Sequence, residues 1–371
     1  RIGCTAFGGP AMLPHIRALA VDRRGWLSDA DFRAGVGLAQ MVPGATAMQV
    51  AAWVGLSARG VAGALAAYLG FGLPAFALMV LLSWLYVSAR DLAPVLAAFA
   101  GLKVAVAALV LSAAVDFARR WLPGPRHWLA AGAAGLWMGL GGNPIWAILG
   151  ACLLAARFFP DEPGPAPAPA AAGQGLGAVL RPLAVLLVLF AAGLGLLAWL
   201  DPPLARLCLV MVKIDCVALG GGYVSLPLML FEVTHRLKLM SEAVFMDGIA
   251  LGQVTPGPIV MSAAFVGWMA AGLSGAAAAT VSVFAPSFFC ISLASAFRAR
   301  LTASAVARRV LAGSLASLVG LMAATGVQFV RAVPWGWPEA LVGVAAFTAL
   351  RFGVDVLWVV LGAGAASAVL F

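Results

Sequence analysis

The sequence predicts an all-α, polytopic helical membrane protein made of two homologous repeats in inverted topology, with broken or re-entrant helices. Three observations carry that expectation. Of the 371 residues, 63% are apolar and only 10% are charged, against roughly 25% charged in an ordinary soluble domain. The apolar residues form long Ala/Leu/Val/Gly runs, whereas the strands of a membrane barrel alternate polar and apolar residues. The chain also repeats itself. Arg1-Ile2-Gly3-Cys4-Thr5-Ala6-Phe7-Gly8-Gly9 aligns with Lys213-Ile214-Asp215-Cys216-Val217-Ala218-Leu219-Gly220-Gly221 at an offset of 212. After a one-residue slip, Leu38-Ala39-Gln40-Met41-Val42-Pro43-Gly44-Ala45 aligns with Leu251-Gly252-Gln253-Val254-Thr255-Pro256-Gly257-Pro258. The offset then returns to 212, pairing Gly60 with Gly272, Pro74 with Pro286 and Asn143 with Asp355. Self-similarity of this length marks one structural unit used twice.

The elements follow in order. The first repeat, 1–157, holds apolar helices over about 1–13, 34–57, 61–88 and 93–117, then a split pair over about 128–157. Its first apolar stretch is short and begins at Arg1 rather than an initiator Met, so an N-terminal piece is expected to be missing. Residues 158–178 carry Pro160, Pro163, Pro165, Pro167 and Pro169 among Ala and Gly, a linker composition that stays extended and builds no core. An extra span, 179–200, precedes the second repeat, 201–371, whose helices cover about 204–231, 245–270, 273–297 and 306–330, with a split pair over 336–371. A span with its connection takes on the order of 30 residues, which leaves room for about a dozen crossings.

Loop charges address orientation, because short cytoplasmic loops collect Lys and Arg. After the third helix the first repeat carries Arg90 and the second carries Arg298, Arg300, Arg308 and Arg309. After the fourth helix the order reverses, with Arg119, Arg120 and Arg126 against Arg331. A basic bias that shifts by one loop is what an inverted repeat would show. Both first connections are basic (Arg17, Arg23, Arg24, Arg33; Arg236, Lys238), which re-entrant first or second segments would reconcile with inversion. These loops account for most of the formal charge of +9, and no basic face interleaved with exposed aromatics offers itself to nucleic acid. The five cysteines have no CxxC spacing, and His15, His127 and His235 fall in loops or at helix ends. Neither a metal site nor a nucleophilic triad assembles, no cofactor is expected, and the chain does not read as an enzyme.

The chemistry sits in the interruptions. Pro43-Gly44 and Pro256-Gly257-Pro258 fall inside apolar stretches, where proline forces a break and suits the first position of the helix that restarts. The N–H groups of that restarting helix carry partial positive charge into the interior and favour an anion. Phe7-Gly8-Gly9-Pro10 and Leu219-Gly220-Gly221-Gly222 make a second pair of breaks, in which consecutive glycines let N–H groups curl into an anion-binding concavity. Gly and Pro also serve membrane helices as kinks and packing points; matched interruptions in two halves point instead to a transporter's binding site.

Several polar residues join them. Gln40 and Gln253 lie three residues before the proline, either as ligand donors or bonded to the free carbonyls of the break. Lys213 lies deep in its span with Asp215 nearby on another helix face, open to a structural ion pair or to a substrate cation. Lys103 is alone in its helix, aligned with Leu315. Glu232 and Asp355 are candidate proton carriers, and with Lys103 and Asp215 they make up the residues available for charge or proton coupling. Asp116 beside Arg119 and Arg120 reads as an interfacial ion pair.

Phe7-Gly8-Gly9-Pro10, the loop Asp22-Arg23-Arg24-Gly25-Trp26-Leu27-Ser28, and Leu38-Ala39-Gln40 with Pro43-Gly44, echoed by Gly220-Gly221-Gly222-Tyr223, Leu226-Pro227-Leu228, Leu251-Gly252-Gln253 and Pro256-Gly257-Pro258, resemble the chromate ion transporter (CHR) family in its long two-domain form. The resemblance implies a multi-pass secondary active transporter of the cell inner (plasma) membrane that exports chromate, a sulfate-like oxyanion, and confers chromate resistance. Its partners would be the oxyanion and the lipid bilayer, with a homodimer left open. Sulfate or another oxyanion, moved by uptake or exchange, would use the same breaks; a passive anion channel and a membrane-embedded enzyme are the weaker alternatives. The first copy has Pro43-Gly44-Ala45 where the family has Pro-Gly-Pro, and the loop Thr234 to Ser241 lacks the Arg-Arg-Gly-Trp run, so the halves are expected to contribute unequally. Alternating access is expected from rocking one repeat against the other.

Overall fold

The computed structural model describes residues 12–89, 92–160, 176–297 and 304–370. In the first repeat these form α1 (Leu13–Arg17), continued by a π-helical turn Ala18–Arg23, then α2 (Asp29–Met41), α3 (Thr46–Ala89), α4 (Ala93–Trp121), α5 (Pro125–Gly139) and α6 (Pro144–Phe158). The extra helix α7 (Leu176–Leu200) follows, then α8 (Pro202–Val217), α9 (Ser225–Leu230), α10 (Glu242–Val254), α11 (Ser262–Ala296), α12 (Ala305–Ala332), α13 (Trp337–Arg351) and α14 (Val356–Leu370). No β-strand occurs among the described residues, where five helices are long and apolar enough to cross a membrane: Thr46–Ala89, Ala93–Trp121, Gly177–Leu200, Ile259–Ala296 and Ala305–Ala332.

The expected breaks are present, and they are re-entrant. Ser28 and Ser241, matched by the repeat, start α2 and α10 by accepting from the N–H groups of Asp31 and Val244, satisfying one orphan donor at each helix start. Each helix has 13 residues, about 20 Å at 1.5 Å per residue, too short for a bilayer core of about 30 Å. Neither runs on in line with the helix after the proline. A Cβ on Gly35 would strike the indole of Trp53, and one on Gly248 the ring of Phe265. Residues 18 and 17 apart in sequence meet only if the chain doubles back at the Pro-Gly tip.

A second turn ends each hairpin. The helical conformation is interrupted at Arg59-Gly60 and at Ala271-Gly272, where the glycines take φ of 66° and 57°, a region open to glycine at no steric cost. Beyond the corner the chain returns so closely that a Cβ on Gly55 would strike the Gly63 carbonyl, and one on Gly267 the Gly275 carbonyl. Lipid tails are as apolar as these side chains, so association rests on close backbone approach between small residues. The long arms after the corners carry the bilayer span, and those of α3 and α11 pack on each other.

The two repeats are interlocked rather than stacked. The long helix α4 packs on α13 and α14 of the other repeat, while α12 packs on α5 and α6. The contacts correspond residue by residue: a Cβ on Gly101 would strike the Ala363 carbonyl and Ser367, and one on Gly313 the Ala151 carbonyl and Ala155. Rocking one sequence repeat against the other would separate both of these interfaces. The units that the packing defines are exchanged ones, α4 with α13–α14 and α12 with α5–α6, and α4 and α12 pack on each other between them. Asp116 pairs across the first unit with Arg351 at 2.5 Å, not with Arg119 or Arg120. Helix α7 lies outside this scaffold, packs on α3, α8 and α11, and exposes nearly all of its surface.

Candidate functional site

The tip of the first hairpin, Val42 to Ala45, lies against the glycine break that follows α8. Gly44 donates its N–H to the Ala218 carbonyl at 2.9 Å, and Pro43 and Leu219 form an isolated antiparallel bridge. Gly44 is buried with φ 122°, and a Cβ there would strike that of Ser287 and come within 2.9 Å of Gln49 Nε2. From Gly221 a Cβ would lie 3.3 Å from Thr46 Oγ1, and from Gly222 one would lie 2.9 Å from a Val260 methyl. The glycine run thus bridges both restarting helices, at Thr46 after the first tip and at Ile259–Met261 after the second. Three of the four breaks read from the sequence converge. The fourth, Phe7-Gly8-Gly9-Pro10, lies outside the described residues, as does Arg1.

Backbone donors accumulate at this junction. Among the described residues, the N–H groups of Thr46, Ala47 and Met48, of Gly221, Gly222 and Tyr223, and of Ile259 and Val260 reach no protein acceptor within hydrogen-bond distance. Helix-start N–H groups carry partial positive charge, and buried donors without partners are rare in proteins. The site offers neutral, fixed donors to an anion. One expected donor is already used: the Gly44 N–H is taken by Ala218, because the tip packs by sheet-like pairing rather than facing open space.

The glutamines divide their roles. The carbonyl of the break is bound by Gln49, which donates from Nε2 to the Pro43 oxygen. Gln49 is fully buried and its Oε1 has no partner. Gln40 is half-buried, and the bond to the free carbonyl considered for it belongs to Gln49. Gln253 is buried and its Nε2 has no partner, leaving a side-chain donor beside the second tip.

Charged residues distribute differently from the sequence expectation. Lys213 pairs with the wholly buried Glu232, to which Arg236 also donates at 3.3 Å. The chain therefore folds back after α8 as it does after α2 and α10. Of the two alternatives open for Lys213 the structure shows an ion pair, with Glu232 rather than Asp215 as the partner, and Glu232 lies between two cations. Asp215 is also wholly buried but faces elsewhere: Oδ2 accepts the Ser287 N–H at 2.7 Å, and Oδ1 has no partner. Ser287 Oγ in turn lies 2.7 Å from the Tyr68 hydroxyl. Asp355 is exposed and caps α14 by accepting the Leu357 N–H at 2.9 Å, as Asn143 caps α6 through Ile145 at 3.0 Å. Capping explains the Asp/Asn match.

Lys103 makes no ion pair within 4 Å among the described residues, but it lies within electrostatic range of Asp247. Asp247 is buried, and its Oδ2 accepts from the Tyr86 hydroxyl at 2.9 Å. Leu315, the repeat-mate of Lys103, packs where a Cβ on Gly220 would strike it. The pair is thus one-sided, because the positions matched to Lys103 and Asp247 are Leu315 and Ala34. Sequence reading missed Asp247, Gln49 and Ser287. A carboxylate inside the apolar run of α10 was the available signal for Asp247; Gln49 and Ser287 gave none. A cavity of about 410 Å³ between α3, α7 and α11, lined by Tyr68, Phe76, Phe190, Phe284 and Phe288, is apolar and offers an anion nothing.

Fold and site together define a multi-pass, all-α membrane protein of two homologous, interlocked repeats whose re-entrant tips gather unpaired backbone donors. The chain belongs to the chromate transporter family, whose pattern it matches over residues 1–156 and 205–368. It is 33% identical over 362 residues to an uncharacterized transporter of Methanocaldococcus jannaschii, covering 97% of this chain and 90% of that one. It is similar to the chromate transport protein of Pseudomonas aeruginosa, 31% identical over 398 residues with 100% and 90% covered. The chromate transport protein of Cupriavidus metallidurans is 24% identical over 292 residues, covering 78% and 70%. No solved structure matches.

Proposed function

We propose that this protein transports chromate across the inner (plasma) membrane, as a secondary active exporter driven by the membrane potential or the proton gradient. The convergence of three chain breaks around unpaired N–H groups carries the reading. Those of Thr46–Met48, Gly221–Tyr223 and Ile259–Val260 reach no protein acceptor among the described residues. Broken backbone at membrane depth persists only where it is buried in protein or lines a cavity, and donors of this kind suit an oxyanion's several acceptor oxygens. Gln253 Nε2 adds a side-chain donor, and Lys103 adds the positive charge that Lys213 cannot supply while bound to Glu232. The names of relatives from Pseudomonas aeruginosa and Cupriavidus metallidurans, both chromate transport proteins, support chromate as the substrate.

The exchanged units leave the re-entrant hairpins as the parts free to move. Tilting the tips against the scaffold would open the donor cluster to one side and then the other without separating either interlocked interface. Arg23 and Arg24, exposed on the loop before α2, would concentrate anions at the entrance, an effect that salt weakens. Chromate accumulation in everted membrane vesicles, energised and de-energised, with sulfate as competitor, tests the reading. Energised accumulation is the expected result and corresponds to efflux from the cell. Sulfate movement without chromate movement would transfer the site to sulfate, and movement that ignores the proton gradient, follows voltage and does not saturate with chromate would make the protein a channel.

A further inference from the structure

Asp215 poses an electrostatic problem that the proposed anion site must solve. Its carboxyl is wholly buried, one oxygen is bound by the Ser287 N–H, and the other has no partner. Ser287 is the residue that a Cβ on Gly44 would strike, so the carboxyl stands one hydrogen bond behind the first tip. From its own side, the Asp215 backbone carbonyl accepts the Ala218 N–H at 3.2 Å, and the Ala218 carbonyl accepts the Gly44 N–H. The acid therefore lies directly behind the break whose donors would hold the oxyanion.

Among the described residues no cation pairs with it. The titratable groups facing it are Tyr68 from α3, Cys290 from α11 and Cys216 on its own helix. Helix α9, also packed against α8, is Ser225–Leu230 and carries no charge, while α7 contributes only the exposed Arg181. Lys213, two residues away, is held by Glu232. Lys103, which would add positive charge to the anion, faces Asp247 rather than Asp215, so a carboxylate and an oxyanion this close in a water-poor interior repel strongly. Something must remove one of the negative charges. A metal cation would need a shell of about six oxygen ligands, and the side chains of the junction offer four: Asp215 Oδ1, Gln49 Oε1 and the hydroxyls of Ser287 and Tyr68.

We propose that Asp215 couples a proton to the oxyanion: the anion enters the convergent breaks only when Asp215 Oδ1 carries a proton, and the two leave together. The inference rests on the anion site proposed above and names its regulation. Each turnover then moves one proton in the same direction as the anion and lowers the negative charge carried by one, so export draws on the membrane potential acting on the remaining negative charge and runs against an inward proton gradient. The serine N–H on Oδ2 fixes the carboxyl so that Oδ1 is the oxygen that takes the proton.

The test is chromate binding to the purified full chain in detergent, measured by calorimetry from about pH 6 to about pH 9 in buffers of different ionisation heat. The wild type is expected to take up one proton per chromate bound above about pH 8, and to lose affinity by up to tenfold per pH unit relative to Asp215→Asn. That variant mimics the protonated acid and should keep only the pH dependence of chromate itself. Wild-type binding with no proton uptake overturns the inference while leaving the anion site intact. So do identical pH profiles for wild type and variant, and so does affinity that follows sodium rather than proton concentration. If the wild type binds neither chromate nor sulfate at any pH, the anion site itself fails, and the inference with it. The wild-type proton count does not depend on how well Asp215→Asn folds.

Discussion

Replacing Gly44 with alanine puts a methyl group where the tip has no room for one. Gly44 has φ 122°, and its Cβ would strike that of Ser287 and lie 2.9 Å from Gln49 Nε2. Holding a non-glycine residue in such a conformation costs about 1–3 kcal/mol, and overpacking a filled core costs about another 1–3 kcal/mol. Against a typical net stability of about 5–15 kcal/mol the chain should still fold, but the tip should relax away from Ser287. That movement breaks the Gly44–Ala218 hydrogen bond and the Pro43–Leu219 bridge, which hold Thr46 against Gly221. About 1.4 kcal/mol of lost complementarity is tenfold in affinity, so chromate affinity should fall by at least that factor. The assay is initial chromate uptake into everted vesicles at matched levels of inserted protein. Gly37→Ala is the control, because nothing lies within 4 Å of a Cβ there; it should transport as wild type and gain up to about 1 kcal/mol in helix stability. Wild-type affinity in Gly44→Ala would refute the argument that tip geometry builds the site.

Other expectations follow from the same contacts. Glu232→Gln should lower thermal stability by up to about 3 kcal/mol, less than for a fully buried pair because the Lys213 side chain is 33% exposed, and Lys213→Met with Glu232→Leu should restore most of it. Cysteines placed at Gly101 with Ser367, and at Ala155 with Gly313, should each cross-link within one chain, as measured by a gel shift on oxidation; failure of both would contradict the interlocked packing. Lys103→Met should weaken chromate binding, by up to roughly tenfold for the loss of one charge in a protein interior, and isothermal titration reads it. Outside the spans, Asp29 accepts from Arg17 and Arg33, which hold its carboxyl below the usual range, the Arg17 hydrogen bond acting most strongly. A depressed carboxyl stabilises the fold fully above its ordinary range and loses that contribution as pH falls through the depressed value. The melting difference between wild type and Arg17→Gln should therefore be small at neutral pH and vanish in acid.

The sequence made the architecture legible because it was written twice. The Pro43 and Pro256 breaks and the glycine corners at Gly60 and Gly272 stand at matched positions, and local chemistry alone dictates them. Re-entrance was legible only through the basic first connections; its proof is contact between residues such as Gly35 and Trp53, which a straight helix would hold apart. The polar wiring stayed hidden for a different reason. Tyr68 and Ser287 are 219 residues apart, and Tyr86 and Asp247 are 161 apart, so no periodicity connects them. Lys213 finds Glu232 across a fold-back that spacing on one helix cannot reveal. Gln49 has no amide counterpart in the second repeat, where Met261 takes its place at the restored offset of 212. Asp355 shows the converse case: an Asp aligned with an Asn suggested chemistry, and both turn out to cap a helix.

Backbone donors would hold the oxyanion where the re-entrant tips meet the glycine run, and the anomalous scattering of chromium in crystals of the chromate-bound protein locates it there or elsewhere. The expected peak lies between the start of α3 at Thr46 and the run Gly221–Tyr223, with oxygens in reach of those N–H groups and of Gln253 Nε2. A chromium peak confined to Arg23, Arg24 and the other loop cations, in protein that transports chromate normally, would contradict it.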